Sequence, residues 1–168
     1  FFEKGWLNDA GFTLDGLKEI ASLISRLPKV HEGVYGEAFV PIMSRVLPAS
    51  AELVTIRNGK VLLTYRDDTY FKGWHTPGSY IGPGETRQQT VERIATKEFG
   101  CKVVFRDWLK SFINNDNERF PDISNLFLCE LPPGEEPRRG TWFDHWPENV
   151  VAVHKKYRSV IEPFLHTA

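Results

Sequence analysis

Apolar and polar residues alternate with period two along residues 51–57 and 60–66, and Asn58-Gly59 separates the two runs. An Asn-Gly pair in that position predicts a tight hairpin, because a type I′ turn needs positive φ at both central residues. Elsewhere the period lengthens. Leu14, Leu17, Ile20, Ala21, Ile24 and Leu27 recur at helical spacing, with Thr13 as cap and Pro28 as stop. A second helix is predicted over 86–99, where Thr86 and Gln89 form a capping box and Val91, Ile94, Ala95 and Phe99 form the apolar face. Gly100 follows where a left-handed C-terminal cap is wanted.

Residues 74–81 read as a short strand entering the loop Gly82-Pro83-Gly84-Glu85. Residues 101–113 read as a strand with a bulge or break, 123–131 as a buried strand, and 141–143 as a short strand. A last helix starts near Val151 and is ended or kinked near Pro163. Residues 28–49 read as an irregular loop. Mixed strands with helices on both faces predict an α/β fold, a three-layer α/β/α sandwich. The boundaries are 1–49, an N-terminal helix and loop packed on the domain, and 50–168, the main domain. The N-terminal helix is amphipathic, so its stripe is to be buried on a sheet face or in a homodimer contact.

Composition narrows the classes. The 168 residues carry 21 Lys plus Arg against 22 Asp plus Glu, a formal charge of −1. That balance argues against a coat for nucleic acid or for an anionic membrane, but permits a local basic pocket. Aromatic residues are 13% of the chain, too many for disorder. Cys101 and Cys129 lack zinc-ligand spacing and read as buried thiols of a reducing cytoplasm. No apolar run approaches bilayer length, and the first residues show no secretory leader. A cytoplasmic chain with an incomplete or processed start is the expectation.

Chemistry concentrates in residues 77–101, PGSYIGPGETRQQTVERIATKEFGC. This segment resembles the signature of the Nudix hydrolases: Gly, five residues, Glu, seven residues, then Arg-Glu-aliphatic-any-Glu-Glu-any-Gly-aliphatic. Aligned from Ser79 to Cys101, Glu85, Arg93, Glu98 and Gly100 match at the required spacing. Ser79, Ile94 and Lys97 depart from it. Arg66 at a strand end, Trp74 and Pro77-Gly78 resemble the usual lead-in. The resemblance spans about residues 50–162 and implies a hydrolase for a nucleoside diphosphate linked to another group. It also implies Mg2+, with Mn2+ as an alternative ion, because a diphosphate is strongly anionic.

Carboxylates at 94, 97 and 98 would aim at one point of the helix surface. Ile94 cannot ligate a metal and Lys97 repels one, which leaves Glu98. This depleted box resembles that of the GDP-mannose mannosyl hydrolases, which lack the same two glutamates. Their likeness implies one Mg2+, attack at the sugar carbon, and a second ligand and a histidine base from a late loop. Here Glu136 falls at the ligand position and Pro137 at the histidine position. Glu135, Glu136 and His145 are the replacement candidates. The resemblance thus implies metal contacts from Glu98, Glu136 and the Ser79 carbonyl, and catalytic parts for Glu98, Glu135, Glu136 and Arg93. It implies substrate contacts from Arg66, Trp74 and Tyr80, and a structural set of Glu85, Arg93 and Gly100. The expected partner is a small nucleotide-derived molecule, best a nucleotide sugar, with no nucleic acid and no membrane.

Two rivals stand beside this. One is a silent domain that binds a nucleotide-derived ligand or a protein, its Lys97 ammonium holding phosphate or neutralising Glu98. The other is attack at phosphorus with carboxylates recruited from elsewhere, such as Glu92 or Glu135.

Overall fold

The computed structural model describes residues 4–27, 39–117 and 119–165. The chain divides into two compact units, Phe1–Gly36 and Glu37–Ala168. In the first, strands β1 (Leu7–Asn8) and β2 (Gly11–Phe12) make a small antiparallel pair that the period-two signal was too short to reveal. Helix α1 (Leu14–Ser25) follows, and the Thr13 hydroxyl accepts from the Gly16 backbone N–H at 3.1 Å, as an N-cap should. Pro28 and the first part of the expected 28–49 loop lie outside the described residues. The later part contains a short helix, α2 (Phe39–Met43), that belongs to the second unit.

The second unit is built on a mixed seven-stranded sheet. Strands β3 (Ala49–Arg57) and β4 (Lys60–Asp67) form the expected hairpin, with Asn58 and Gly59 at φ 51° and 65°. The predicted strand over 74–81 is two strands, β5 (Lys72–His75) and β6 (Gly78–Tyr80), on either side of Pro77, which has no N–H to give a ladder. Helix α3 (Arg87–Glu98) carries the capping box of Thr86 and Gln89 and ends at Gly100, φ 69°. Strand β7 (Val104–Asn114) shifts register twice against β8 (Asp122–Glu130), the expected bulging. Strand β9 (Thr141–Phe143) pairs with β4. The last segment is less regular than a single helix. A 3₁₀ stretch at Ala152–Tyr157 leads into α4 (Arg158–Ile161), and Pro163 sits in a closing 3₁₀ turn.

The main path of the sheet runs β5-β4-β3-β8-β7, with β3 and β8 parallel and the other pairs antiparallel. Each face is covered. Ala51, Leu53, Leu62 and Phe127 pack with Val91, Ile94 and Phe99 of the α3 layer. Val54, Val61, Leu63 and Leu126 pack with Trp146, Tyr157, Ile161 and Leu165 on the other side. This is the three-layer α/β/α arrangement. Cys101 and Cys129 are buried free thiols.

One departure from a regular sheet positions the site. Strand β3 pairs with β4 only over residues 55–57, while its start, 50–52, pairs with β6. The end of β4 pairs instead with β5. The hairpin therefore splays where Ser50 and Glu52 lie, and the opening becomes a cavity. No helix of the described residues is long and apolar enough to cross a membrane.

Candidate functional site

The cavity at the splayed end has a volume of about 210 Å3. Its wall brings together Arg66 of β4, Ser79 and Tyr80 of β6, and Lys97 of α3. Sequence reasoning singled out all four. His75 and His154, individually unremarkable in the sequence, also line it, as do Ser50, Glu52, Arg119 and Asp122.

Glu52 is the buried carboxyl of this cavity. Its Oε2 accepts from the Thr76 hydroxyl at 3.1 Å, and its Oε1 lies 3.1 Å from the Ser50 hydroxyl. Neither partner carries a charge. Burial pushes the carboxyl up to about 8, against the weaker downward pull of these two hydroxyls. Glu52 is therefore mostly neutral at pH 7. The Gly78 backbone is close enough that a Cβ there would stand 2.3 Å from Glu52 Oε2. Only glycine admits the carboxyl in this position.

The histidines beside it are neutral, for reasons visible in their hydrogen bonds. The Thr76 backbone N–H donates to His154 Nδ1 at 3.3 Å, so that nitrogen carries no proton. His154 Nε2 then holds the ring proton, 3.8 Å from Glu52 Oε2, beyond hydrogen-bond reach. His75 Nδ1 donates to the Thr76 carbonyl at 2.8 Å, and the Thr64 hydroxyl donates to Nε2 at 3.0 Å. Burial lowers both, His75 to about 4 and His154 well below its ordinary value, and the Arg66 cation adds to each effect. Both ring nitrogens of His75 are occupied, which leaves it no free lone pair for a substrate proton.

The opposite wall carries charge. The Arg119 guanidinium packs over Phe39, Phe71, Tyr80 and Phe120, with centroid distances of 4.7–5.8 Å. It donates to the Tyr80 hydroxyl at 2.5 Å, and its buried Nε has no hydrogen-bond partner among the described residues. Arg66 pairs with Asp68 and lies over Phe71. Asp122 takes donors from Asn114 and Asn117 at 2.5 and 3.0 Å, and burial raises its carboxyl.

Behind the cavity, Glu85 and Arg93 form a lock. Arg93 Nε donates to Glu85 Oε1 at 2.6 Å and Nη2 to Oε2 at 2.8 Å, while Nη2 also reaches the Tyr80 carbonyl at 2.9 Å. The Gly82 N–H and Thr90 hydroxyl also donate to the carboxylate. The guanidinium holds Glu85 down to about 2. This bonding ties the 78–86 loop to α3.

The other expected residues lie elsewhere. Ile94 is 1% exposed in the α3 core. Glu98 does not line the cavity, and its Oε1 is 3.9 Å from the Lys97 ammonium. Glu136, expected at a metal ligand position, is held instead by Arg57 through two 2.8 Å bonds. Glu135 accepts from the Lys102 N–H at 3.1 Å. The 132–140 loop is drawn to the C-terminal end of α3, where Phe99 O accepts from the Arg138 and Arg139 N–H groups. Glu135 and Glu136 are thereby kept off the cavity wall. His145 is paired with Asp144 at the surface. Trp74, expected against substrate, packs edge-on against Tyr65 and Phe143 with the core and does not line the cavity.

These placements test the implied Mg2+. Its three proposed donors are a carboxylate beside an ammonium, a carboxylate committed to Arg57, and one backbone carbonyl. Among the described residues, no group of three His, Cys, Asp or Glu side chains could hold a metal. The donor set does not fit a protein-built divalent centre.

Sequence reasoning missed Glu52, Arg119 and Asp122. Glu52 left a signal: it shares strand parity with Val54, a core residue, so the alternation already turned a carboxyl inward. Arg119 and Asp122 left none, because they follow a loop whose path the pattern does not fix.

Comparison with known proteins agrees with this architecture. The chain is 31% identical over 86 residues to the low-salt glycan biosynthesis protein Agl8 of Haloferax volcanii, covering 51% of this chain and 52% of that protein. It thus spans about half the length of the curated relative it matches. Among solved structures it is similar to a MutT NUDIX hydrolase from Burkholderia pseudomallei, with a TM-score of 0.56 and 19% identity over 69% of this chain and 98% of that one. It is also similar to a UDP-X diphosphatase, with a TM-score of 0.53 and 17% identity over 94% and 72%. At these identities the two structures speak for the fold. The NUDIX domain family model matches residues 47–159, the whole sheet, the lock and the cavity, and the chain belongs to that family.

Proposed function

We propose that the protein is a NUDIX hydrolase that cleaves a nucleoside diphosphate linked to another moiety, with a nucleotide sugar as the substrate class. The carrying observation is the cavity itself. It sets Arg66, Lys97 and Arg119 around a carboxyl that is mostly neutral at pH 7. Three cations face two carboxyls there, Glu52 mostly neutral and Asp122 engaged by Asn114 and Asn117, a balance that favours an anion. Two similar proteins, a UDP-X diphosphatase and a glycan biosynthesis protein, support sugar nucleotides as the class.

In this proposal the cations hold the diphosphate and Tyr80 borders it. Glu52 is the cavity group that exchanges a proton near neutral pH, the property a general acid–base group needs. Because the donor set does not fit a divalent ion, no step is written through one. Any Mg2+ arrives on the diphosphate.

The test is turnover of a panel of nucleoside diphosphate sugars and other nucleoside diphosphate derivatives, with Mg2+ and with EDTA, resolved by chromatography. Product formation supports the proposal, and ¹⁸O from solvent in sugar or in phosphate tells which atom is attacked. The buried Ile94 and the Lys97 ammonium favour a second reading, a domain that binds such a ligand without cleaving it. Binding with no product from any panel member would overturn the hydrolase in its favour.

A further inference from the structure

We infer that this cavity binds the diphosphate group of its ligand without a protein-held divalent cation, the Lys97 ammonium and the Arg119 guanidinium supplying the positive charge. The inference rests on the proposed nucleoside diphosphate class, and it concerns how that group is held, not whether it is cleaved.

Four observations converge. First, the helix face that would carry ligating carboxylates is not one: Ile94 is in the core and position 97 is a lysine whose side chain lines the cavity. Secondly, Lys97 is only loosely engaged. Its side chain is 76% exposed, and its contact to Glu98 is 3.9 Å. A compact ammonium on a flexible stem can turn from that contact to a phosphate oxygen.

Thirdly, Arg119 is a cation with no carboxylate in direct contact among the described residues. Four aromatic rings surround it, the Tyr80 hydroxyl accepts one of its hydrogen bonds, and its Nε is buried and unbonded among the described residues. A buried donor left unmatched costs free energy that an anionic acceptor in the cavity would offset. Asp122, an acidic side chain of the same cavity, already accepts from Asn114 and Asn117. Fourthly, the cavity's other carboxyl, Glu52, is engaged by the Ser50 and Thr76 hydroxyls and not by a cation. Lys97 and Arg119 are thus both left to an incoming anion. Arg66 contributes less, since Asp68 already pairs with it.

At about 210 Å3 the cavity falls below the range that encloses a whole drug-sized ligand. It suits a diphosphate group, with the nucleoside or the second moiety extending outside.

The experiment measures binding of inorganic pyrophosphate and of a nucleoside diphosphate to the full chain by calorimetry, in EDTA and in Mg2+. Wild-type protein is expected to bind both in EDTA, with affinity changing less than about threefold when Mg2+ is added. Lys97→Gln is expected to weaken binding in EDTA by about tenfold, the loss of one charge-assisted contact. Lys97→Glu is expected to abolish binding in EDTA and restore part of it with Mg2+. Position 97 is exposed, so both variants fold, and thermal unfolding checks this.

Wild-type binding that requires Mg2+, or Lys97→Gln binding equal to wild type in EDTA, overturns the inference. Turnover of the panel together with Mg2+-dependent binding leaves the hydrolase standing and removes this inference. Binding in EDTA without turnover does the reverse.

Discussion

Glu52, packed against Gly78, and Glu85, bound to Arg93, meet opposite fates. Both are largely withdrawn from water, and both accept from neighbouring hydroxyls. Glu85 also has a guanidinium in two-point contact, which holds its carboxyl down to about 2. Glu52 has only Ser50 and Thr76, and burial drives it up to about 8. One glutamate is a permanent anion that fastens a loop to a helix. The other keeps its proton and lines the cavity proposed to hold a diphosphate. Burial lifts Glu52, and Arg93 holds Glu85 down.

The largest expected effect is on the pH dependence of stability. Below about pH 4.5, Glu52 is protonated in both folded and unfolded chains. Between 4.5 and about 8 the unfolded chain's Glu52 ionises while the folded one keeps its proton, so the contribution of Glu52 to stability falls as pH rises. A displacement of that size corresponds to about 5 kcal/mol. The groups facing Glu52 are Ser50, Thr76 and His154, with Asp122 and Arg66 acting through space. Burial lowers both histidines, so below about pH 6.5 they add an opposite trend, which wild type and Glu52→Gln share. Urea unfolding of wild type and Glu52→Gln at pH 5 and 8.5 should show the variant gaining on wild type at the higher pH. Equal slopes for the two proteins would remove Glu52 from that role.

Breaking the lock comes next. Arg93→Met strands Glu85 as a half-buried anion and should cost about 3 kcal/mol in urea unfolding at pH 7. Adding Glu85→Gln should recover part of the loss. The sign for Glu85 is opposite to that for Glu52: its contribution is present above pH 4.5 and is lost as pH falls toward 2.

A steric variant sharpens the contrast. Gly78→Ala drives a methyl group into the Glu52 carboxyl and leaves Glu85 untouched. Its cost should depend on Glu52, with a coupling of about 2 kcal/mol in a double-mutant cycle against Glu52→Ala. An additive cycle would mean that the carboxyl moves away freely.

The smallest effects separate charged from neutral acceptors. Thr90→Val removes a hydroxyl from the charged Glu85 and should cost about 1.5 kcal/mol. Thr76→Val removes one from the mostly neutral Glu52 and should cost about 1 kcal/mol at pH 6, while raising the pH at which Glu52 ionises. Urea unfolding and carboxyl titration check both.

Local chemistry made much of this legible in the sequence. The Asn58-Gly59 turn, the Thr86–Gln89 box and the Glu85–Arg93 spacing each act over a few residues, and each stands in the structure at those residues. The cavity was legible only in part. Arg66, Tyr80 and Lys97 belong to or flank the signature, whereas Glu52, Thr76 and His154 meet across separations of 24 and 78 residues. Only tertiary structure joins them. The late loop shows the same limit. Spacing set Glu136 against a ligand position, but Arg57 lies on the neighbouring surface and claims it.

The most direct test of this account is a ¹³C NMR titration of the carboxyl carbons of Glu52 and Glu85 in the folded protein. The account predicts an inflection near pH 8 for Glu52 and none above about pH 3 for Glu85. An inflection for Glu52 in the ordinary range near 4.5 would make it an anion at pH 7. The cavity would then repel the diphosphate it is proposed to hold.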